Sequence, residues 1–399
     1  MTQNIVLNIE GLLEEISNVG SQREISDLGV ILLNALMKKE RDLRLKEDLE
    51  NKGNGFYERQ LVSELGKLNI SIPRDRKGEF RSSLLPEPWQ RYEESHKDLM
   101  TKLILCSYSP NQIKNLFSHM NLPYSSEQLE ELKEELYKKA KEFRTRELPS
   151  ESVVIYIDAY HTEIKNEENK VSKAVVYSIL GVDMEGHKSI YGYYTFFGSE
   201  TKEDWLVILN DLIYRGLKRV LLIVSDNFSG LSAAIKSLFP KSDHQLCYVH
   251  MQRNVRRNMS KEDAREFNNQ LSILRKKKDF DSIVAEFEKL CHEYIKKYMH
   301  FIKGLLKNKN LYFAFLKYPE SIQKNIYTTN PIENVNSRIE VTRVKAGGYF
   351  QSVKTLEISL YVLFSGIQDR KWKKPIPAFR KALYEINQLF AFRFRESLS

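Results

Sequence analysis

Two short runs of unbroken apolar residues do most to limit how this chain can fold. Val153-Val-Ile-Tyr-Ile157 leads directly into Asp158, and Val220-Leu-Leu-Ile-Val224 is followed by Ser225 and Asp226. Side chains alternate sides along a strand, so apolar residues at successive positions make both faces apolar. Such strands are stable when helices cover the sheet on both sides, which is the layered α/β arrangement. The residues around them agree. Segments 171–182 and 189–197 are rich in β-branched and aromatic side chains, with Gly186 in the turn between them, and read as two further strands. Lys202 to Tyr214 has the period of an amphipathic helix stopped by Gly216, and Ser229 to Phe239 is a second helix closed by Pro240. His244 to His250 reads as a short strand entering a basic helix. The order strand, strand, strand, helix, strand, helix, strand gives a mixed α/β domain.

From Met251 to about Lys324 the chain is helical in pattern and strongly basic, and the strand pattern does not return. That stretch reads as an all-α insertion, after which the domain resumes at Tyr327-Thr-Thr-Asn-Pro-Ile-Glu333 and ends in helices. The N-terminal third is mainly helical. Ile25 to Leu49 is a helix broken by Lys52-Gly-Asn-Gly-Phe-Tyr, and the alternation of Leu68, Ile70 and Ile72 marks a strand followed by a basic turn. Asp98 to Cys106, Pro110 to Met120 and a long helix capped by Ser125-Ser126 follow, with Ser109 as a cap and Asn121-Leu-Pro as a turn. This is the outline of a helix-turn-helix, and equally of a plain helical bundle with a charged face. The boundaries are 1–95 for an N-terminal helical and β-hairpin region, 96–148 for the helix-turn-helix-like part, 149–250 and 326–399 for the two parts of the α/β domain, and 251–325 for the insertion.

Composition narrows the partners. There are 62 Lys plus Arg against 53 Asp plus Glu, a net charge of +9. The excess favours polyanions, and the large acidic complement means the positive charge must lie in patches. No apolar run is long enough for a membrane span, and the N-terminus lacks a secretory pattern, so the protein reads as cytosolic. Three cysteines, Cys106, Cys247 and Cys291, make no disulfide framework.

Asp158 and Asp226 each close a core strand, where a sheet opens to solvent. Two such acids on neighbouring strands repel unless a divalent cation lies between them, and oxygen ligands suit Mg²⁺ or Mn²⁺. Glu333 lies just inside a helix, with Asn330 as its N-cap and Pro331 at the first position. Glutamate there is also what a capping box requires, and the two aspartates could simply cap turns. Arg253 and Arg257 lie four apart on one helix face just after His250. Lys236, Lys241, Arg256 and the run Arg275 to Lys278 add charge nearby in sequence.

Five motifs occur in a fixed order: Ile157-Asp158-Ala159-Tyr160; Val171-Ser-Lys-Ala174; Ser225-Asp226-Asn-Phe-Ser-Gly230-Leu231; Cys247-Tyr-Val-His250; and Thr328-Thr329-Asn330-Pro-Ile-Glu333. In these the chain resembles the Mutator-type transposases of bacterial insertion sequences, over about Asn51 to Trp372. The resemblance implies a ribonuclease-H-like catalytic domain interrupted by a helical insertion, with Asp158, Asp226 and Glu333 as a DDE triad holding two Mg²⁺ or Mn²⁺ ions. It implies that Cys247 and His250 lie beside the active site, and that Arg253, Arg257, Asn330, Asn334 and Arg338 are auxiliary or DNA-contacting residues. It also implies a homodimer acting on double-stranded DNA, both terminal inverted repeats and target, through a circular excision intermediate. A zinc role for Cys247 and His250 would need Cys291-His292 as partner, an adjacency with poor ligand geometry. Tyr327 stands where relatives often have Arg, and Pro331 where they have Ala. No tryptophan falls in the insertion, the three being Trp89, Trp205 and Trp372, so Tyr294, Tyr298 or Phe301 would have to take a stacking role there. A structure-selective nuclease or resolvase of the same fold, or a transposase-derived DNA-binding regulator, are the alternatives; the intact acids speak against the regulator.

Overall fold

The structure is a computed structural model that describes residues 25–394 except 64–65, 86–93, 106–109, 120–123, 167, 169 and 199–200. It divides into two compact units, Met1–Glu135 and Leu136–Ser399.

In the first unit, helix α1 (Ile25–Glu47) packs against a hairpin of β1 (Gly53–Ser63) and β2 (Gly66–Asp75). The alternating Leu68, Ile70 and Ile72 point inward with Met37 and Leu61, which is why this strand was legible. Its partner β1 is implied only by the hairpin expected for this region, because Phe56-Tyr57 and Leu61-Val62 come in pairs rather than in alternation. Helices α2 (Glu94–Leu105), α3 (Pro110–His119) and α4 (Ser126–Thr145) follow. Ile113 and Phe117 form the buried stripe of α3, and the Gln128 amide donates to Ser125 Oγ at the start of α4. The expected Ser109 cap and Asn121-Leu-Pro turn, together with Cys106 and Trp89, lie outside the described residues. The boundary between units falls inside α4. Beyond it, Phe143 stacks on Tyr193, and Tyr193 Oη donates to the Ala140 carbonyl.

The second unit is built on a five-stranded sheet of order β5-β4-β3-β6-β7. Strands β3 (Glu151–Lys165), β4 (Val171–Val182) and β5 (Lys188–Phe197) form an antiparallel meander. Helix α5 (Lys202–Tyr214) carries the chain over to β6 (Arg219–Ser225), parallel to β3; helix α6 (Leu231–Leu238) leads to β7 (Asp243–Leu246), parallel to β6. A capping box between Thr201 and Asp204 fixes the start of α5. Both faces of the central strands are covered, as their unbroken apolar runs require. On one face Ile155, Ile157 and Ile223 meet α5 and α6 around Trp205, which is fully buried 4.3 Å from the Tyr177 ring.

The other face is covered by everything that follows β7. These are α7 (Tyr248–Asn258), α8 (Lys261–Leu274), α9 (Phe280–Tyr294), α10 (Met299–Lys307), two short 3₁₀ turns, and α11 (Glu320–Ile326). Then come α12 (Asn330–Lys345), α13 (Val353–Lys371), α14 (Pro377–Lys381) and α15 (Leu383–Phe394). A single apolar cluster runs from Val154, Tyr156 and Leu222 through Tyr248, Phe267, Phe287 and Phe313 to Ile332 and Phe364. Residues 251–325 therefore share one core with the sheet and the C-terminal helices. Among the described residues no helix is long and apolar enough to cross a membrane.

Candidate active site

The sequence places Asp158 at the end of a strand; the structure places it in the middle of β3, opposite Ser178 of β4. What ends at this point is the other partner. Pairing between β3 and β6 stops at Ile157 and Ser225, so Asp158 and Asp226 each lie one residue beyond the last parallel pair. The sheet splits there: β3 continues with β4, while β6 turns away through Gly230 at φ 79° into α6. That split opens the cleft. Asp226 stays partly exposed, whereas Asp158 is only 8% exposed.

The third acid comes from α12. Here too the start differs from the sequence reading: Thr329, not Asn330, is the N-cap, and it offers no side-chain cap. Glu333 is thus not tied up in a capping box, and its carboxylate turns instead toward His250 and Arg253. Asn336 lies one turn further along the same helix face, and its Nδ2 donates to Asp158 Oδ2 at 2.8 Å. The spacing of three from Glu333 is the signal by which sequence reasoning could have found Asn336. Tyr160 of β3 hydrogen-bonds Glu340 on the same helix, which further fixes α12 against the strand.

His250 links two of the acids. The sequence reading has it ending a strand, but β7 stops at Leu246 and His250 lies in the first turn of α7. The reason is the Cys247 sulfur, which accepts from the His250 amide at 3.5 Å and caps the helix in place of the usual oxygen. The Thr329 amide also donates to it at 3.4 Å, so one sulfur ties the start of α7 to the start of α12. From this position His250 Nδ1 faces Asp226 Oδ2 at 3.7 Å, and Nε2 lies 3.2 Å from Glu333 Oε1. Arg253, one turn on, forks onto Glu333 with contacts of 2.9 and 3.2 Å.

The electrostatics follow from this packing. Burial pushes the Asp158 carboxyl up to about 7, against the opposing pull of His250 and the Asn336 hydrogen bond, and Glu333 adds to the rise. Burial alone would lower His250, but the Cys247 sulfur and the carboxylates of Asp226 and Glu333 outweigh it and raise it to about 9. Burial would likewise raise the Cys247 thiol, yet His250 and the Thr329 hydrogen bonds hold it below its ordinary range. Cys247, His250 and Glu333 offer ligand atoms within 4.8 Å of one another. Cys291 and His292 are not part of that group, so the zinc pairing considered from the sequence is not assembled.

The chain matches a known family along almost its whole length. Residues 2–375 fit the family model described as Transposase, Mutator family. The chain belongs to the Mutator family of transposases. It is 25% identical over 379 residues to the transposase for insertion sequence element IS905 of Lactococcus lactis, covering 95% of each chain. It is 28% identical over 328 residues to the transposase for insertion sequence element IS1201 of Lactobacillus helveticus, covering 81% of this chain and 85% of that one. The solved Drosophila P element transposase strand transfer complex aligns over 81% of this chain and 89% of its own at 14% identity, with a TM-score of 0.27, too slight a likeness to carry an argument.

The remaining candidates of this Mutator-family chain do not gather at the carboxylates. Arg257 is exposed on the next turn of α7. Asn330, Asn334 and Arg338 lie on the flank of α12 that lines a separate cavity. In the insertion, Tyr294 packs edge-on to Phe267, and Tyr298 donates to Asp263. Tyr327, the departure from the common Arg, carries Arg275 over its ring at 4.9 Å and accepts a hydrogen bond from it.

Proposed function

We propose that this chain is a DNA transposase that binds the terminal inverted repeats of its insertion sequence, cleaves the element ends by metal-dependent hydrolysis, and joins the freed 3′-OH to target DNA. The observation that carries the reading is that Asp158 and Asp226 each lie one residue past the last β3–β6 pair, with His250 between Asp226 and Glu333 and Asn336 of the Glu333 helix on Asp158, in a chain of the Mutator family. A sheet of three antiparallel strands followed by two parallel ones supports the ribonuclease-H-like reading, and helices α2 to α4 support a helix-turn-helix.

The donor set fits Mg²⁺ or Mn²⁺. Asp158 is a buried carboxylate whose charge its own surroundings under-compensate, and beside it Asn336 Oδ1 is buried with no partner. An oxygen-rich cleft of that kind suits a hard divalent cation or its water. Asp158, Asp226 and Glu333 would hold two ions, which activate the attacking hydroxyl and stabilise the leaving 3′ oxygen. The chain's own groups do the rest. Asn336 and the β3 backbone hold Asp158 in place. Arg253 can move from Glu333 to a phosphate, which its fork also matches. Protonated His250, lying between Asp226 and Glu333, limits their repulsion until DNA and cations arrive.

The test is incubation of the protein with Mg²⁺ and DNA carrying the repeats that flank its gene. Cleaved ends and joined products are expected, with none in excess chelator. Cleavage without joining would make the chain a nuclease, and binding without either would make it a regulator.

A further inference from the structure

One turn of α12 presents two different surfaces. Glu333 and Asn336 face the carboxylates, while Asn334 and Arg338, four apart, face a cavity of about 400 Å³ on the adjoining side. Lys188 at the start of β5, Lys324 near the end of α11, and Lys371 and Trp372 at the end of α13 also line it. Among the described residues no aspartate or glutamate does. Among the described residues none of these four cations forms a close ion pair with a carboxylate, although Lys324 lies near enough to Glu320 to help hold its carboxyl below the ordinary range. Cations gathered around one hollow, three of them without a carboxylate beside them, favour an anion.

The cavity is more than an anion site. Lys188 lies over the Trp372 ring, 5.0 Å from its centroid, and Trp372, which also packs against the core, lines the hollow. The Asn334 side chain is exposed and offers a donor and an acceptor side by side, the pattern that matches a base edge. Cationic grooves with an aromatic platform are how single-stranded nucleic acid is held without reading its sequence. The volume suits one nucleotide and is far too small for a duplex, whose major groove alone is about 12 Å wide. A helix with its side chains is about 10 Å across, so the cavity lies within a few nucleotide steps of the carboxylates.

We propose that this cavity holds one unpaired nucleotide of the DNA strand next to the cleaved bond: the Lys188 ammonium moves from the Trp372 ring to the phosphate, beside Arg338 and Lys371, and the base takes its place on the ring. The inference rests on the transposase reading and adds a site to it. Capturing that nucleotide would keep a frayed element end from re-pairing while the 3′-OH is presented for joining.

The experiment measures binding by fluorescence anisotropy, with the full chain in Ca²⁺. It uses a blunt repeat duplex, the same duplex with a three-nucleotide 3′ extension, and the same with an abasic extension. The normal extension should tighten binding by about tenfold and the abasic one much less. Trp372→Ala should remove that gain and Trp372→Phe should keep most of it, both leaving the blunt duplex unchanged. Lys371→Ala, at an exposed position, should reduce the gain severalfold without touching stability. An extension gain that survives Trp372→Ala would overturn the proposal, as would an abasic extension that works equally well, since the cavity would then hold phosphate alone. Equal weakening of blunt and extended DNA in Trp372→Ala would also overturn it. A wild-type protein that cleaves repeat DNA but ignores the extension defeats the cavity alone. One that binds no DNA defeats the transposase reading beneath it.

Discussion

On one face of the sheet, the covering helices α5 and α6 come from the chain immediately beside β6, and their contact with it is apolar: Trp205, Ile208, Leu209, Leu212, Leu231 and Ile235. On the other face the cover runs from α7, directly after β7, to the C-terminal helices, and at its rim polar groups meet: Cys247, His250, Arg253, Glu333 and Asn336. The first face is sealed by shape and burial. The second is where side chains from distant parts of the sequence must arrive together. The lesson is a division of cost. A change on the sealed face should act on stability and reach activity only through it. A change at the rim should act on chemistry with the fold left standing.

The largest effect should come from the acids. Asp158→Asn, Asp226→Asn or Glu333→Gln should each cut cleavage and joining by about a thousandfold or more, since several kcal/mol of metal-based stabilisation is lost. DNA binding and melting temperature should change little. Wild-type cleavage in any one variant removes that residue from the triad. Trp205→Ala should do the reverse, lowering stability by about 3–5 kcal/mol while the molecules that remain folded cleave at the normal rate. A selective loss of cleavage at full stability would erase the contrast between the faces.

His244 sharpens the same comparison through pH. It lies between Ser225 and Ser232 on the sealed side, and burial holds it down at about 4. The unfolded chain takes up a proton near pH 6.5 that the folded chain refuses until about pH 4, so stability rises with pH across that window. The protein should lose roughly 3 kcal/mol between those limits on this account. His244→Asn should flatten that part of a stability–pH curve; an unchanged curve would assign the loss to other groups. The smallest effect belongs to the rim cations. Arg253→Ala or His250→Ala should slow cleavage about tenfold, at unchanged melting temperature, on DNA that spans the cut. The Mg²⁺ requirement should hold or fall, because Glu333 is then less occupied. A marked rise would place His250 among the metal's ligands.

The sequence readings that match the structure are the ones set by one dominant local force. Strands β4 and β5 and helix α5 are bounded by Gly186, Thr201 and Gly216, and their pattern is unbroken. The mistakes lie where two forces compete. His244 to His250 looks like a strand because Cys, Tyr and Val favour one, and only the sulfur cap shows that the helix has begun by Tyr248. Asp158 looks like a strand end because the apolar run stops there, although the strand continues with β4 alone. Of the candidate site, the three acids stand in the sequence as motifs. Asn336 and the Glu333–Arg253 pair depend on how α12 and α7 face each other, which no local pattern encodes.

The position of Glu333 also sets a clock on synthesis. The two aspartates and the strands that hold them emerge first, and α12 follows about a hundred residues later. At about 5–20 residues per second, a ribosome needs several seconds or more to cover that stretch. Until it does, the nascent chain has a nearly finished sheet and no third carboxylate. On the proposed triad, an interrupted translation product that stops before α12 would lack a complete site for cutting DNA.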